Sequence, residues 1–164
     1  PEELIQAISW FVVKSSEKLR KQNQLATAIT IFIRTSKFIQ PFYQKSTTKH
    51  LAIPTSDTGT LLKIAKKLTS QIFRPNLSFT KAGVIMQGLQ NTDHIQQHLL
   101  QPQNNEKEQK RLRLMTTIDR LNNYYGDSTI NWAACGTHKK WNMRHQNLSP
   151  SSTTQIMEIP IVKA

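Results

Sequence analysis

The chain has 164 residues, and 22 Lys and Arg stand against 10 Asp and Glu, a formal net charge of +12 with His neutral. One or two small domains fit that length, and so large a cationic excess points to a polyanionic partner, because unpaired cations repel one another unless phosphate or salt screens them. No run approaches the roughly 18 apolar residues of a spanning helix, so no membrane partner is expected, and the single cysteine, Cys135, rules out an intrachain disulfide and suits a cytoplasmic setting.

Pro1, Glu2 and Glu3 mark a helix start, with proline in the first turn and acids at the positive end of the helix dipole. Leu4, Ile8, Phe11, Val12 and Leu19 follow at helical spacing. After the polar break from Lys21 to Gln24, residues 26–34 alternate as a strand. Ile29, Ile31 and Ile33 share one face, and Thr30, Phe32 and Arg34 share the other. A loop holding Pro41 and Ser46 to Thr48 leads to a short strand, His50 to Ile53. Thr55, Ser56 and Asp57 offer N-caps for a second helix with the stripe Leu61, Ala65, Leu68 and Ile72. Pro75 and Asn76 close that helix, and Phe79 to Met86 reads as a last strand. The order helix–strand–strand–helix–strand predicts an α+β two-layer sandwich, an antiparallel sheet with both helices on one face.

Residues 1–90 are read as this domain, 91–105 as a linker rich in Gln and Asn, and 106–164 as a small, mainly helical C-terminal region. The last part opens with a helix over 106–125, whose stripe is Leu114, Ile118, Leu121 and Tyr125, with Gly126 as C-cap. Short pieces follow, and the tail from Glu158 to Val162 reads as extended. The chain begins at Pro1 rather than Met and has no signal-peptide pattern, which reads as a fragment.

Charge is uneven along the chain. Residues 1–90 hold 13 of the cations against four acids, Glu2, Glu3, Glu17 and Asp57, a net +9. Arg34, Lys37, Lys45, Lys49 and Lys81 lie on or beside the strands, where the sheet's uncovered face would present a positive ledge. Thr35, Ser36 and Thr47 add possible hydroxyl donors. Contacts of this kind hold the phosphate backbone and read no sequence. Lys63, Lys66 and Lys67 sit on a helix expected to pack away from that face and are read as solvated. Trp10, Trp132 and Trp141 are read as packing residues rather than base-stacking platforms.

Catalytic patterns are missing. Two-metal chemistry needs clustered carboxylates, and the four Asp, at 57, 93, 119 and 127, are isolated at cap or helix-surface positions. The five glycines form neither a phosphate-binding loop nor a dinucleotide fingerprint. Cys135, His138 and His145 have no fourth partner at a zinc-site spacing, and nothing orients a histidine against the thiol. No metal or catalytic residue is assigned, and no cofactor is expected for this chain.

Several strings then follow in one order: Ile29-Thr30-Ile31-Phe32-Ile33-Arg34-Thr35-Ser36-Lys37-Phe38, Pro41-Phe42-Tyr43, Ile53-Pro54-Thr55 with Asp57, Glu17-Lys18-Leu19-Arg20 and Lys81-Ala82-Gly83-Val84. They resemble the little finger of UmuC-type Y-family DNA polymerases, the catalytic subunit of polymerase V. Tyr125-Gly126, Gly136, Trp141-Asn142-Met143-Arg144, Leu148-Ser149-Pro150, Thr153-Thr154 and Ile159-Pro160 resemble the C-terminal region of the same proteins. The chain departs from that pattern at Ser152, where the family usually has an aromatic residue. It also lacks the strand that opens the little finger, so one sheet edge is expected to be unpaired.

The resemblance implies the DNA-gripping end of an error-prone translesion polymerase of the SOS response and DNA repair. Its palm, with the carboxylates that hold magnesium, would lie outside this chain, so the chain alone is expected not to catalyse. The implied partners are damaged DNA or a primer–template duplex, a UmuD-type subunit and a recombinase filament. Two other readings stay open: a stand-alone nucleic-acid-binding protein, and a non-enzymatic adaptor whose second part binds proteins. Within the linker, Gln96, Leu99 and Leu100 fit a sliding-clamp peptide, a Gln followed after two positions by an apolar pair that fills a pocket. Gln97 stands where such peptides usually have Leu, and Leu100 where they have Phe, so weak binding is expected.

Overall fold

In the computed structural model, which describes residues 2–38, 40–92, 105–137 and 141, helix α1 runs over Glu2–Lys21. It carries Glu2 and Glu3 in its first turn and Lys18, Arg20 and Lys21 in its last, complementing the dipole at both ends. Asn23, at φ 52°, turns the chain in the left-handed conformation that Asn tolerates. Strand β1, Gln24–Thr35, follows directly and is central. It pairs antiparallel with β2, Gln44–Thr55, on one side and with β3, Phe79–Gln87, on the other. Helix α2, Thr58–Ile72, connects β2 to β3. Its N-cap is Asp57, whose carboxylate accepts from Thr60 N–H at 2.8 Å and from the Thr60 hydroxyl at 2.6 Å.

The two-residue strand β4, Gln90–Asn91, continues the edge beyond β3 by pairing with Gln24 and Leu25. Gly88 lies between them at φ 59°, and a Cβ there would come within 1.8 Å of Thr27 Oγ1. Glycine is required here twice over, for the backbone conformation and for the close approach.

Ile29, Ile31 and Ile33 are fully buried against Ile8 and Val12 of α1 and Leu61, Leu62, Ala65, Leu68 and Ile72 of α2. Helix α1 packs over β1 and β3, and α2 over β1 and β2. Each fully buried Ile or Leu contributes about 1.5–3 kcal/mol of burial free energy. Both helices therefore sit on one face of an antiparallel sheet, the α+β sandwich expected from the element order.

Two expectations change. The strand expected at His50 to Ile53 runs the full twelve residues Gln44–Thr55, taking in the polar Gln-Lys-Ser-Thr-Thr stretch read as loop. Main-chain pairing with β1 from Arg34↔Gln44 to Ala28↔His50 holds those residues extended, and at a sheet edge polar side chains remain in water. In the second part, helix α3, Asn105–Tyr125, forms as expected, but its packed side is turned from the predicted stripe. Met115 is buried, and Ile118, Asp119, Leu121 and Asn122 are half-buried, while Leu114 and Tyr125 are exposed.

An ion pair explains that rotation. Arg20 donates from Nε to Asp119 Oδ2 at 2.6 Å and from Nη2 to Oδ1 at 2.8 Å, a two-pronged pair across α1 and α3. Its Nη1 donates to the Ser56 carbonyl at 2.7 Å and to Thr58 Oγ1 at 3.0 Å, and the Ser16 and Thr58 hydroxyls are 2.7 Å apart. Three elements thus meet at one guanidinium. From α3, Asn122 bonds both Ile130 N–H and the Ile130 carbonyl, and beyond them a 3-10 turn, Ala133–Cys135, lies on α1 with Cys135 buried. Lys14 bridges Glu17 and Asp127. Burial pulls the Lys14 pKa down, but hydrogen bonds and attraction from those two carboxylates outweigh it and raise the value.

Two outcomes follow. Asp119→Ala leaves the Arg20 guanidinium half-buried without its carboxylate and is expected to cost about 1.5–3 kcal/mol, read by urea unfolding, with faster amide exchange in α3 than in β1. Since the folded pKa of Lys14 is raised, its contribution is complete below the ordinary lysine range and is lost as pH rises through the raised value. Asp127→Asn should therefore flatten the alkaline fall in melting temperature.

Candidate nucleic-acid interface

Partners directly opposite in an antiparallel pair project to the same side of the sheet, so the register assigns each side chain to a face. On the face without helices, β1 contributes Thr30, Phe32 and Arg34. The register adds Gln44, Ser46, Thr48 and His50 from β2 and Lys81, Gly83, Ile85 and Gln87 from β3. β1, β2 and β3 contain no Asp or Glu.

The face has a polar row and an apolar row. Thr30 Oγ1 lies 2.7 Å from Thr48 Oγ1 and donates to Gln87 Oε1 at 3.1 Å, a ladder across three strands. Next to it the Phe32 ring lies over Gly83, so close that a Cβ on Gly83 would fall 2.4 Å from the ring. Ile85 stays 46% exposed beside it. At the far end Arg34 and Lys81 are direct cross-strand partners. Arg34 Nε is buried and makes no hydrogen bond with the described residues. Two like charges placed opposite each other destabilise a sheet; an anion bound between them reverses the sign of that interaction.

The predicted contacts separate into three groups. Arg34 and Lys81 meet on the open face. Lys45, Thr47 and Lys49 pair with Ile33, Ile31 and Ile29 and so project to the helix side of the outer strand β2, where both lysines are exposed and Thr47 is half-buried. Thr35 ends β1, and Ser36 and Lys37 belong to the β1–β2 connection. Thr35 is buried, with Oγ1 accepting from Tyr43 N–H at 2.9 Å, so its hydroxyl closes that loop. Ser36 Oγ accepts from Phe38 N–H at 3.2 Å, and Lys37 is exposed. Among the described residues, the charge-based reading passed over exposed apolar side chains, with Phe38, 97% exposed next to Lys37, the most exposed of them.

The tryptophans pack. Trp10 contacts Phe11 and Trp141 with ring centroids 5.4 and 5.7 Å apart, and Trp132 packs against the core next to Gly59. Among the described residues no group of three or more His, Cys, Asp or Glu comes together, and no helix is long and apolar enough to cross a membrane. His138 and His145, like the clamp-peptide residues Gln96, Leu99 and Leu100, lie outside the described residues.

Comparison with known proteins gives two family matches. The impB/mucB/samB family C-terminal domain matches residues 1–99, and a domain of unknown function, DUF4113, matches residues 112–162. Similar proteins include UmuC of Salmonella typhimurium, 30% identical over 99% of this chain and 38% of its own length. ImpB of Salmonella typhimurium is 29% identical over 96% of the chain and 37% of its own length. MucB of Escherichia coli is 30% identical over 95% and 36%. The chain thus spans well under half the length of the relatives it matches.

The Arg34–Lys81 pair makes a stability prediction independent of any ligand. Lys81→Gln removes the like-charge repulsion and is expected to stabilise the fold by about 0.2–1 kcal/mol in urea unfolding. An unchanged or lower stability would mean that the pair is already screened.

Proposed function

Because the chain belongs to the impB/mucB/samB family, we propose that it is the DNA-holding part of an error-prone translesion DNA polymerase of the SOS response and DNA repair, cytoplasmic like its substrate. The open sheet face grips the backbone of a primer–template or damaged duplex without sequence preference. The observation that supports this most is the pairing of Arg34 with Lys81 on a sheet face whose strands carry no acid. A protein retains such a repulsive pair when binding requires it, at some cost to stability. The ladder Thr48–Thr30–Gln87 adds groups able to bond phosphate oxygens or sugars, and Phe32 and Ile85 supply apolar contact.

In this reading, chemistry belongs to a palm outside the chain, with magnesium bound there, and the chain by itself incorporates no nucleotide. Residues 106–164 are the part to test for contact with a UmuD-type subunit and a recombinase filament. The segment with Gln96, Leu99 and Leu100 tethers the protein to the sliding clamp. A short linear peptide loses conformational entropy on binding, so the tether is useful chiefly when DNA contact adds avidity.

Fluorescence anisotropy with mixed-sequence duplexes tests the central reading. Affinity should fall steeply with salt, and Arg34→Gln with Lys81→Gln should weaken every sequence alike. Strong preference for one sequence, or binding unchanged in the double variant, would overturn it. For the tether, a peptide over 92–103 should bind the clamp in calorimetry at roughly micromolar strength, where weak linear-peptide recognition usually falls. Leu99→Ala with Leu100→Ala should abolish that heat.

A further inference from the structure

The register takes Lys45 and Lys49 off the open face, and α2 brings further lysines to the side they occupy. Helix α2 packs over β2, and the two run antiparallel. Two residues separate the end of β2 from the start of the helix, and its last residue returns to the start of the strand, where the Tyr43 hydroxyl donates to the Ile72 carbonyl at 2.7 Å. The buried side of α2 is Leu61, Leu62, Ala65, Leu68, Thr69 and Ile72, which leaves Lys63, Lys66 and Lys67 exposed. Arg74 closes the row with its guanidinium 4.9 Å from the centre of the Tyr43 ring. Lys45 and Lys49 therefore share the helix side of the sheet with α2, whose Lys63, Lys66 and Lys67 are exposed outside its buried stripe, and Arg74 follows at its end.

No acid balances them. Between Lys18 and Thr92 the sequence has a single acidic residue, Asp57, and its carboxylate is engaged in capping α2. None of the six cations takes part in an ion pair among the described residues. The other exposed basic row, Lys110, Arg111, Arg113 and Arg120 on α3, has the exposed Glu106 on the same helix, while Asp119 is taken by Arg20. The lysine-rich flank is the stronger field and adjoins the open face across one strand.

We infer that this β2–α2 flank is a second phosphate-contacting surface, so that nucleic acid held on the open face is followed around the β2 edge by Lys45, Lys49 and the three lysines of α2. The inference rests on the reading that the open face holds DNA. The two surfaces divide the work: the face supplies hydroxyl, amide and apolar groups with one cation pair, and the flank supplies point charges on flexible stems. Lysine suits the second task, since its ammonium makes no demand on direction and tracks any backbone path.

The test compares three variants of the full chain on one fluorescent mixed-sequence duplex over a salt series. The first is Lys63→Gln, Lys66→Gln and Lys67→Gln, all exposed positions, with circular dichroism and melting to check the fold. It should flatten the log–log salt slope by about 2–3, one counterion released per lost phosphate contact. The second, Lys110→Gln, Arg113→Gln and Arg120→Gln, removes the same charge from α3 and should leave the slope near that of the parent. The third is Arg34→Gln with Lys81→Gln. A parental slope in the α2 variant overturns the flank, as does an equal loss in the α3 variant, which would make the effect one of net charge. Loss in the third variant with none in the first leaves the face reading standing and removes the flank; loss in the first with none in the third overturns the face reading, and with it the inference that nucleic acid is led from that face around the β2 edge. Equal competition of the flank-dependent binding by polyglutamate, at matched charge concentration, would assign the surface to acidic protein segments and overturn the inference.

Discussion

The central position of β1 governs the rest of the structure. A strand paired on both sides has no freedom to slip, because a shift of one residue would exchange its buried and exposed rows. Ile29, Ile31 and Ile33 are fully buried under the two helices, and that burial locks the register. Once it is locked, the side of every residue on β2 and β3 follows by pairing. The positions of Lys81 next to Arg34, and of Lys45 and Lys49 on the opposite side, are consequences of three isoleucines.

Electrostatics works against this fold, and the molecule tolerates it. One acid among the residues from Lys18 to Thr92 cannot neutralise the cations of that stretch. Asp57, the acid present, is used locally at the start of α2, where an Asp cap satisfies otherwise unpaired backbone N–H groups. Salt bridges concentrate at α1 and its contacts with the second part, among Lys14, Glu17, Lys21, Arg20, Asp119 and Asp127. Among the described residues paired charge thus ties α1 to the second part, and unpaired charge occupies the open face, β2 and α2. That segregation is what a protein held to a polyanion by its fold requires.

Arg20 is one of the ties between the second part and the first, beside the turn Ala133–Cys135 on α1, Trp132 on the core and the Lys14–Asp127 pair. Its guanidinium reaches a carboxylate on α3, a carbonyl ahead of α2 and a hydroxyl on α2 at once. Arginine's rigid fork allows that geometry, and lysine would not reproduce it. The matched families meet across this contact: residues 1–99 belong to one match and 112–162 to the other.

Much of this was legible in the sequence. The alternation of residues 26–34 identified a strand with one buried row, the stripes on the two helices identified their packed sides, and the charge count identified a basic first part, because periodicity and net charge are local or additive properties. The full length of β2 was not legible, since Gln44 to His50 has neither apolar alternation nor strong strand propensity and is extended through main-chain pairing to β1. The packed side of α3 was misread for a similar reason: a polar residue, Asp119, faces inward to meet Arg20, and hydropathy cannot anticipate a partner 99 residues away. Lys45 and Lys49 were read as lying on or beside a strand and Thr47 as loop, and the face each takes was decided by register, a relation between strands. Composition by itself determined that this protein carries a strong positive field. Tertiary structure decided where that field points, because pairing and helix packing alone fix which side of the sheet each cation leaves by.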